Sequence, residues 1–261
     1  MGRKLVFDLE TKKIFDQVGG QQNAHLLGVS VCGVYDFSTG KLEAFREEEL
    51  PAMEKLFAEA ELLIGFNSKH FDNKVLQPYF KQVDLAKIPH LDMLEEVEKE
   101  LGHRVKLESI AQSTLGEGKS GTGLDAVVYY NEGRWEELIK YCLDDVRVTR
   151  DVYEYGRRHG YIWYSSGGSL EKIKASWVER PTILEILAKA LRDHQQLEIV
   201  YLKNNGVGVQ REKRVVDLRA MDYEKIRAFC HTAQAERIFS IAKIFDAKIV
   251  GEMDSFQPSL I

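Results

Sequence analysis

KLVFDLE, residues 4–10, decides how the rest of the chain is read. Three apolar residues, Leu5, Val6 and Phe7, run straight into Asp8, Leu9 and Glu10. A short apolar run of this kind reads as a buried strand with an acidic end. Side chains two apart in a strand share a face, so Asp8 and Glu10 point the same way. Taken alone, two acids at a strand end simply face water. Outward from this strand, HLLGVSVCGVYDF (25–37) reads as a second strand, STG (38–40) as a turn and KLEAFRE (41–47) as a third strand pairing back. Together they predict an antiparallel meander.

Helical spacing then alternates with short apolar runs. ELPAMEKLFAEAE (49–61) predicts a helix with Pro51 in its first turn. LLIGFN (62–67) predicts a strand, FDNKVLQPYFKQ (71–82) a helix and IPHLDM (88–93) a fifth strand. Helices are expected from about 105 to 156, and the one at 133–156 carries a core stripe of Trp135, Leu138, Ile139, Cys142, Val146 and Val152. The fold class is α/β, a mixed sheet flanked by helices, in an element order similar to a ribonuclease H-like fold. GYIWYSSGGSLEKIKASW (160–177) reads as a β-hairpin, and ERPTILEILAKALRDHQQ (179–196) as an amphipathic helix entered through Pro181. The short runs LEIVYLKN, KRVVDLRAMD, KIRAFCH and ERIFSIAKI that follow predict a small β-barrel. The expected domains are therefore 1–178 and 179–261, with frayed final residues.

Composition bounds the function classes. The chain of 261 residues is 44% hydrophobic and 30% charged, as an ordinary globular protein is. Its net charge of −5 gives no global basic field. Residues 181–261 carry 12 basic against 11 acidic residues, which leaves 24 against 30 in the remainder. The first domain is the acidic one, as a carboxylate site offset by metal ions would make it. Three cysteines without a C-x-x-C pair predict a reducing compartment and no disulfide framework. The start, MGRKLVFDLETKK, turns acidic at once and does not read as a signal peptide. No apolar stretch reaches the roughly 18 residues of a membrane span. The expected location is the cytoplasm, with no membrane partner.

Four more acidic or polar positions matter. Asp72 stands at a helix start, where an N-cap is the ordinary reading. Asn67 ends the preceding strand and has turn chemistry as its ordinary reading. In YCLDDVRVT (141–149), Tyr141 and Asp145 are four apart and share a helix face. Alone, they fit an amphipathic surface. Asp144 is one residue off that face and is expected in solvent or in support behind the acids. Together the positions say more. Asp8, Glu10, Asp72 and Asp145 come from a first strand, a strand-to-helix junction and a late helix, which a sheet of this kind brings to one edge. Clustered carboxylates repel one another, and folds keep them where cations neutralise them. Oxygen ligands at this density suit Mg²⁺ or Mn²⁺. None of the seven histidines has zinc-site spacing.

VFDLET (6–11), GFNSKHFD (65–72) and YCLDDVRVT resemble the three motifs of the DEDD superfamily of 3′–5′ exonucleases. The four acids of its name would be Asp8, Glu10, Asp72 and Asp145. Tyr141 matches the DEDDy subclass; the DEDDh subclass would need a histidine where Lys140 stands. The resemblance covers residues 1–178. It includes LESIAQSTLGEGKSG (107–121) and YGRRHGYIWY (155–164), which are similar to ribonuclease H-like exonucleases of prokaryotes and phages. It implies two divalent cations held by the four acids, Tyr141 orienting the attacking water, and single-stranded nucleic acid with a 3′ end, DNA favoured, as substrate. Asn67 and Phe71 would pack against the terminal nucleotide and Lys119 would touch a phosphate. Ordinary packing and a solvated loop are their alternatives. A nucleic-acid-binding regulator that no longer cuts, and a structure-selective endonuclease on the same fold, remain open.

Residues 180–250 resemble a WYL domain, a small Sm/SH3-like barrel, through ILAKALRDHQQLEIVYL, KRVVDL and AFCHTAQAERIFSIAKI. The stretch aligned with the naming Trp-Tyr-Leu reads Glu-Lys-Ile (224–226). This resemblance implies a nucleotide or nucleic-acid ligand, with Tyr201 stacking and Arg214, Arg237 and Lys243 supplying charge. Ordinary surface charge is the alternative.

Overall fold

The computed structural model describes residues 2–117, 123–179, 181–204 and 208–253. Its first sheet is made of β1 (Arg3–Thr11), β2 (Val29–Asp36), β3 (Lys41–Arg46), β4 (Ala60–Gly65) and β5 (His90–Asp92), in the order β3-β2-β1-β4-β5. β1, β2 and β3 form the antiparallel meander, and β4 and β5 add in parallel. This is the ribonuclease H-like mixed sheet that the element order predicts. Leu5, Val6 and Phe7 are fully buried, because helices cover both faces. Each such side chain stabilises the fold by about 1.5–3 kcal/mol. The run therefore anchors the sheet centre and fixes where its acidic end emerges.

Strand alternation gives the sheet a core on each face. Leu5, Phe7 and Leu9 join Met53 and Phe57 of α1 (Leu50–Ala58) and Val75 and Leu76 of α2 (Asp72–Leu76). On the other face, Val31 of β2 joins Leu138, Tyr141 and Cys142 of α6 (Trp135–His159) and Ala126 of α5 (Gly123–Asn131). α3 (Met93–Leu101) and α4 (Leu107–Leu115) lie between α2 and α5 in sequence. α6 approaches β2 closely at Gly33, which pairs with Asp8. A Cβ there would lie 2.8 Å from Val146 Cγ2 and 3.2 Å from Cys142 Sγ.

Two elements differ from expectation. The second strand starts at Val29, not 25, because a 3₁₀ helix occupies Gln21–Leu26 and the chain turns at Gly28 with φ +72°. Leu27 plugs the core instead of extending the strand. The helix expected over 71–82 stops at Leu76 and passes into a 3₁₀ turn, Gln77–Tyr79. Pro78 lacks an N–H and disfavours helix in the residue before it.

The chain divides into two compact units, Met1–Ala111 with Gly118–Tyr153, and Gln112–Glu117 with Glu154–Ile261. The expected domain change at 178/179 lies inside the second. This unit contains the predicted hairpin, β6 (Tyr161–Ser166) and β7 (Ser169–Lys174). Its α7 (Ile183–Arg192) starts at a capping box in which Thr182 and Glu185 bond reciprocally. Ile183, Leu187 and Ala190 of α7 pack on an antiparallel sheet of β8 (Gln195–Asn204), β9 (Val209–Met221), β10 (Lys225–Cys230), β11 (Ala235–Ser240) and β12 (Ile244–Glu252). The strand order is β11-β10-β9-β8-β12. The expected closed barrel is therefore corrected to an open sheet, since no pairing among the described residues joins β11 to β12. After β11 a 3₁₀ turn at Ile241–Lys243 sends the chain across to β8. Among the described residues no helix is long and apolar enough to cross a membrane.

Candidate active site

The pleat of β1 turns Asp8 and Glu10 away from the Leu5–Phe7–Leu9 face, toward α6. There α6 presents Tyr141 and, one turn later, Asp145. One carboxylate oxygen from each of Asp8, Glu10 and Asp145 lies within 4.8 Å of the others. Glu10 and Asp145 are buried and Asp8 half-buried. Two unit charges at that separation repel by roughly 3 kcal/mol at an effective dielectric near 20. That is about the worth of one or two buried aliphatic side chains, so packing of α6 on Val31 and Gly33 can hold the acids together, at a cost. A divalent cation would remove the cost. The donor set is all oxygen, the ligand type that hard divalent cations take.

Asp72 stands outside this group of three. It is 3% exposed, and its Oδ1 accepts the Leu9 N–H at 3.1 Å, so it is tied to the backbone between the two strand acids. Cys142 lies beneath the cluster and donates its S–H to the Asp8 carbonyl at 3.6 Å. Burial pushes its thiol well up, and the nearby charges of Asp8, Glu10 and Asp145 add to this. Burial does the same to Cys32, aided by Asp72 and Asp8. Both thiols stay protonated and act as small apolar fillers, not nucleophiles. Asp144 points away and pairs with Lys140 at 2.9 Å.

Beside Glu10 opens a cavity of about 370 Å³, walled by Phe15, Leu27, Phe71, Leu124 and Val127. Phe15 meets Phe71 edge to face at 5.7 Å. Leu124 is 63% exposed although it is a leucine. Sequence reasoning found Phe71 but missed Phe15, Leu124 and Val127. Phe15 stands only five residues past Glu10, which was its one visible signal. Asn67 adopts φ +66°; its N–H goes to Asp92 at 2.8 Å and its side-chain oxygen accepts from Arg104. Lys119 lies outside the described residues.

The four positions singled out in the second unit sit on separate strands or turns. The Tyr201 hydroxyl accepts the Ser240 N–H at 3.3 Å, and its ring meets Phe239 edge on at 5.2 Å. Arg214 is paired with Glu212. Arg237 is exposed on the edge strand β11. Lys243 borders a cavity of about 260 Å³ with Trp163, Leu202 and Val209.

A family model of the RNase H superfamily matches residues 5–156. No curated protein matches. Among solved structures, the chain is similar to proteasome accessory factor B/C (PafBC) of Arthrobacter aurescens, at 21% identity over 57% of this chain and 21% of that one, with a TM-score of 0.22. It thus spans about a fifth of that chain. It is also similar to a chain of the simian T-cell lymphotropic virus intasome in complex with PP2A regulatory subunit B56 gamma, at 11% identity over 95% of this chain and 81% of that one, with a TM-score of 0.20. The family match takes in more than half of the chain, from the start of β1 to most of α6, and with it all four acids: the chain belongs to the RNase H superfamily.

Proposed function

We propose that the protein is a metal-dependent 3′–5′ exonuclease that hydrolyses phosphodiester bonds at 3′ ends of single-stranded nucleic acid, with DNA favoured. Superfamily membership carries the coarser part, a nuclease acting on nucleic acid with divalent metal ions. The observation that carries the finer part is the apolar pocket directly beside Glu10. It has room for one base at the end of a strand, next to the acids.

In this reading Asp8, Glu10 and Asp145 hold the first cation, and Asp72, fixed on the Leu9 N–H, contributes to a second. Bound, two such ions supply Lewis acidity toward the phosphoryl oxygens and lower the pKa of water. Tyr141 orients the attacking water by a hydrogen bond. A phenol is too weak a base at neutral pH to take its proton. Phe15 and Phe71 pack against the last base while Leu124 and Val127 close its other side. Asn67 meets the terminal nucleotide, and Lys119 a phosphate. Residues 179–261 act as an accessory WYL-like module. Its nucleotide or nucleic-acid ligand meets Tyr201, Arg214, Arg237 and Lys243.

A 5′-labelled single strand with Mg²⁺ tests the reading. A ladder shortening from the 3′ end is expected, and none with Asp8→Ala or Asp145→Ala. Retained binding without cleavage by the native protein would leave a regulator. Internal cuts in a circular strand would make it an endonuclease.

A further inference from the structure

The segment between β4 and α2, residues 66–71, delivers Phe71 to the pocket and Asp72 to the Leu9 N–H, between the two strand acids. Its shape is not self-supporting. Asn67 holds a left-handed backbone at φ +66°, which asparagine tolerates better than most residues, and side chains from elsewhere fix the loop around it. They are three side chains of the β5–α3 segment. Asp92, 1% exposed, accepts from the Asn67 N–H at 2.8 Å and the Lys69 N–H at 3.0 Å, besides capping α3 through the Leu94 N–H at 3.0 Å. The His90 Nε2 bonds the buried Ser68 hydroxyl at 2.8 Å, and its Nδ1 bonds Asn73 Nδ2 at 3.3 Å. Glu95 takes Lys69 Nζ at 2.6 Å and lies 3.1 Å from His70 Nε2. Ser68 can sit there because residue 65 is glycine; a Cβ at that position would fall 2.2 Å from the Ser68 hydroxyl. The hold passes onward through backbone bonds, Phe71 N–H to Asn67 O at 3.0 Å and Asn73 N–H to Ser68 O at 2.9 Å. These frame Asp72, whose carboxylate then meets the Leu9 N–H.

We propose that Asp92 is a positioning residue, the centre of a clasp that sets Asp72 for the second cation and Phe71 for the terminal base. An N-cap needs one bond to the helix start, and Asp92 spends two of its three on the loop. The inference rests on the exonuclease reading and on the donor set described above. It assigns Asp92, His90 and Glu95 no contact with substrate.

Asp92→Ser separates the two duties, because serine still caps a helix but is too short to hold the loop. Mn²⁺ binding is followed by electron paramagnetic resonance with deoxythymidine 5′-monophosphate present, beside cleavage and a thermal melt. Two Mn²⁺ ions are expected for the native protein. In Asp92→Ser the weaker site should lose affinity by about 10- to 100-fold while the tighter one is unchanged. kcat should fall by a similar factor at low Mn²⁺ and recover at high Mn²⁺. Asp72→Ala should lose the same site without recovery. An Asp92→Ser protein with a native Mn²⁺ titration and native kcat, or with only a lower melting temperature, overturns the clasp and leaves the exonuclease standing. A native protein that binds no Mn²⁺ or does not cut overturns both. Should Asp92→Ser not fold, Asp92→Asn, which keeps one acceptor oxygen for Asn67 and Leu94 and loses the one that takes the Lys69 N–H, carries the same comparison.

Discussion

Glu10 shows what a single side chain is asked to do in this site. Its carboxylate shares a 4.8 Å cluster with Asp8 and Asp145, so in its ionised form it adds repulsion to the metal-free fold. Glu10→Gln removes that charge with little change of shape. In EDTA the variant should be more stable than the native protein, by about 1–3 kcal/mol, read from its urea midpoint. Cleavage should be lost in the same variant. A fall in stability would mean that the three acids do not repel in the metal-free fold. Residues of this kind were legible in the sequence, because acids two apart in a strand and a tyrosine four before an aspartate in a helix announce shared faces. Asp92 was not legible. It reads as an ordinary helix cap, and nothing local in the chain says that its remaining bonds reach back 23 and 25 positions.

Among the elements, α6 is the one on which the site depends, and Gly33 sets its distance from the sheet. Gly33→Val would drive side-chain carbon into Val146 and Cys142. Overpacking of this sort costs about 1–3 kcal/mol. Activity should fall further than stability does, because relief by lifting α6 draws Asp145 away from Asp8. Comparing cleavage with the thermal melt checks this. The C-terminal end of α6 carries a different sensitivity. His159 stacks on Tyr155 at 4.0 Å and bonds the Ile244 carbonyl at 2.7 Å. Burial lowers its pKa from 6.5 to about 4. Between those values the unfolded chain holds a proton that the folded chain refuses, so stability falls as pH drops from 6.5 toward 4. The loss approaches 3 kcal/mol for a group so buried. Urea midpoints of the second unit at pH 7 and 4.5 should show it, and His159→Phe should flatten that unit's dependence. His90, lowered by burial to about 4 as well, keeps a dependence in the first. Element boundaries were less legible than element types. Pro78 cut α2 short through its missing N–H and its restriction of Gln77, and Gly28 with the buried Leu27 delayed β2 through packing; apolar periodicity reports neither.

At the scale of the whole molecule, two compact units predict two unfolding steps that respond to different conditions. Mg²⁺ at a hundredfold excess over its dissociation constant should stabilise the unit that carries the acids by about 2.7 kcal/mol. Its melting step should rise by roughly 5–10 °C. The other step, which reports His159, should not move. A calorimetric scan with Mg²⁺ or EDTA decides this, and Asp145→Ala should abolish the shift. The mixed sheet was readable as a whole because its strands and helices alternate with clear periods. The closed barrel was misread because strand spacing says how many strands there are, not whether the outer two meet. One further consequence follows from Asp8 and Asp145 standing 137 positions apart. On the ribosome, β1 is made long before α6, which brings the third acid of the group. A growing or truncated chain therefore carries no competent centre. On the proposed reading, hydrolysis of nucleic acid waits until α6 has emerged and docked, delayed by the order of synthesis itself.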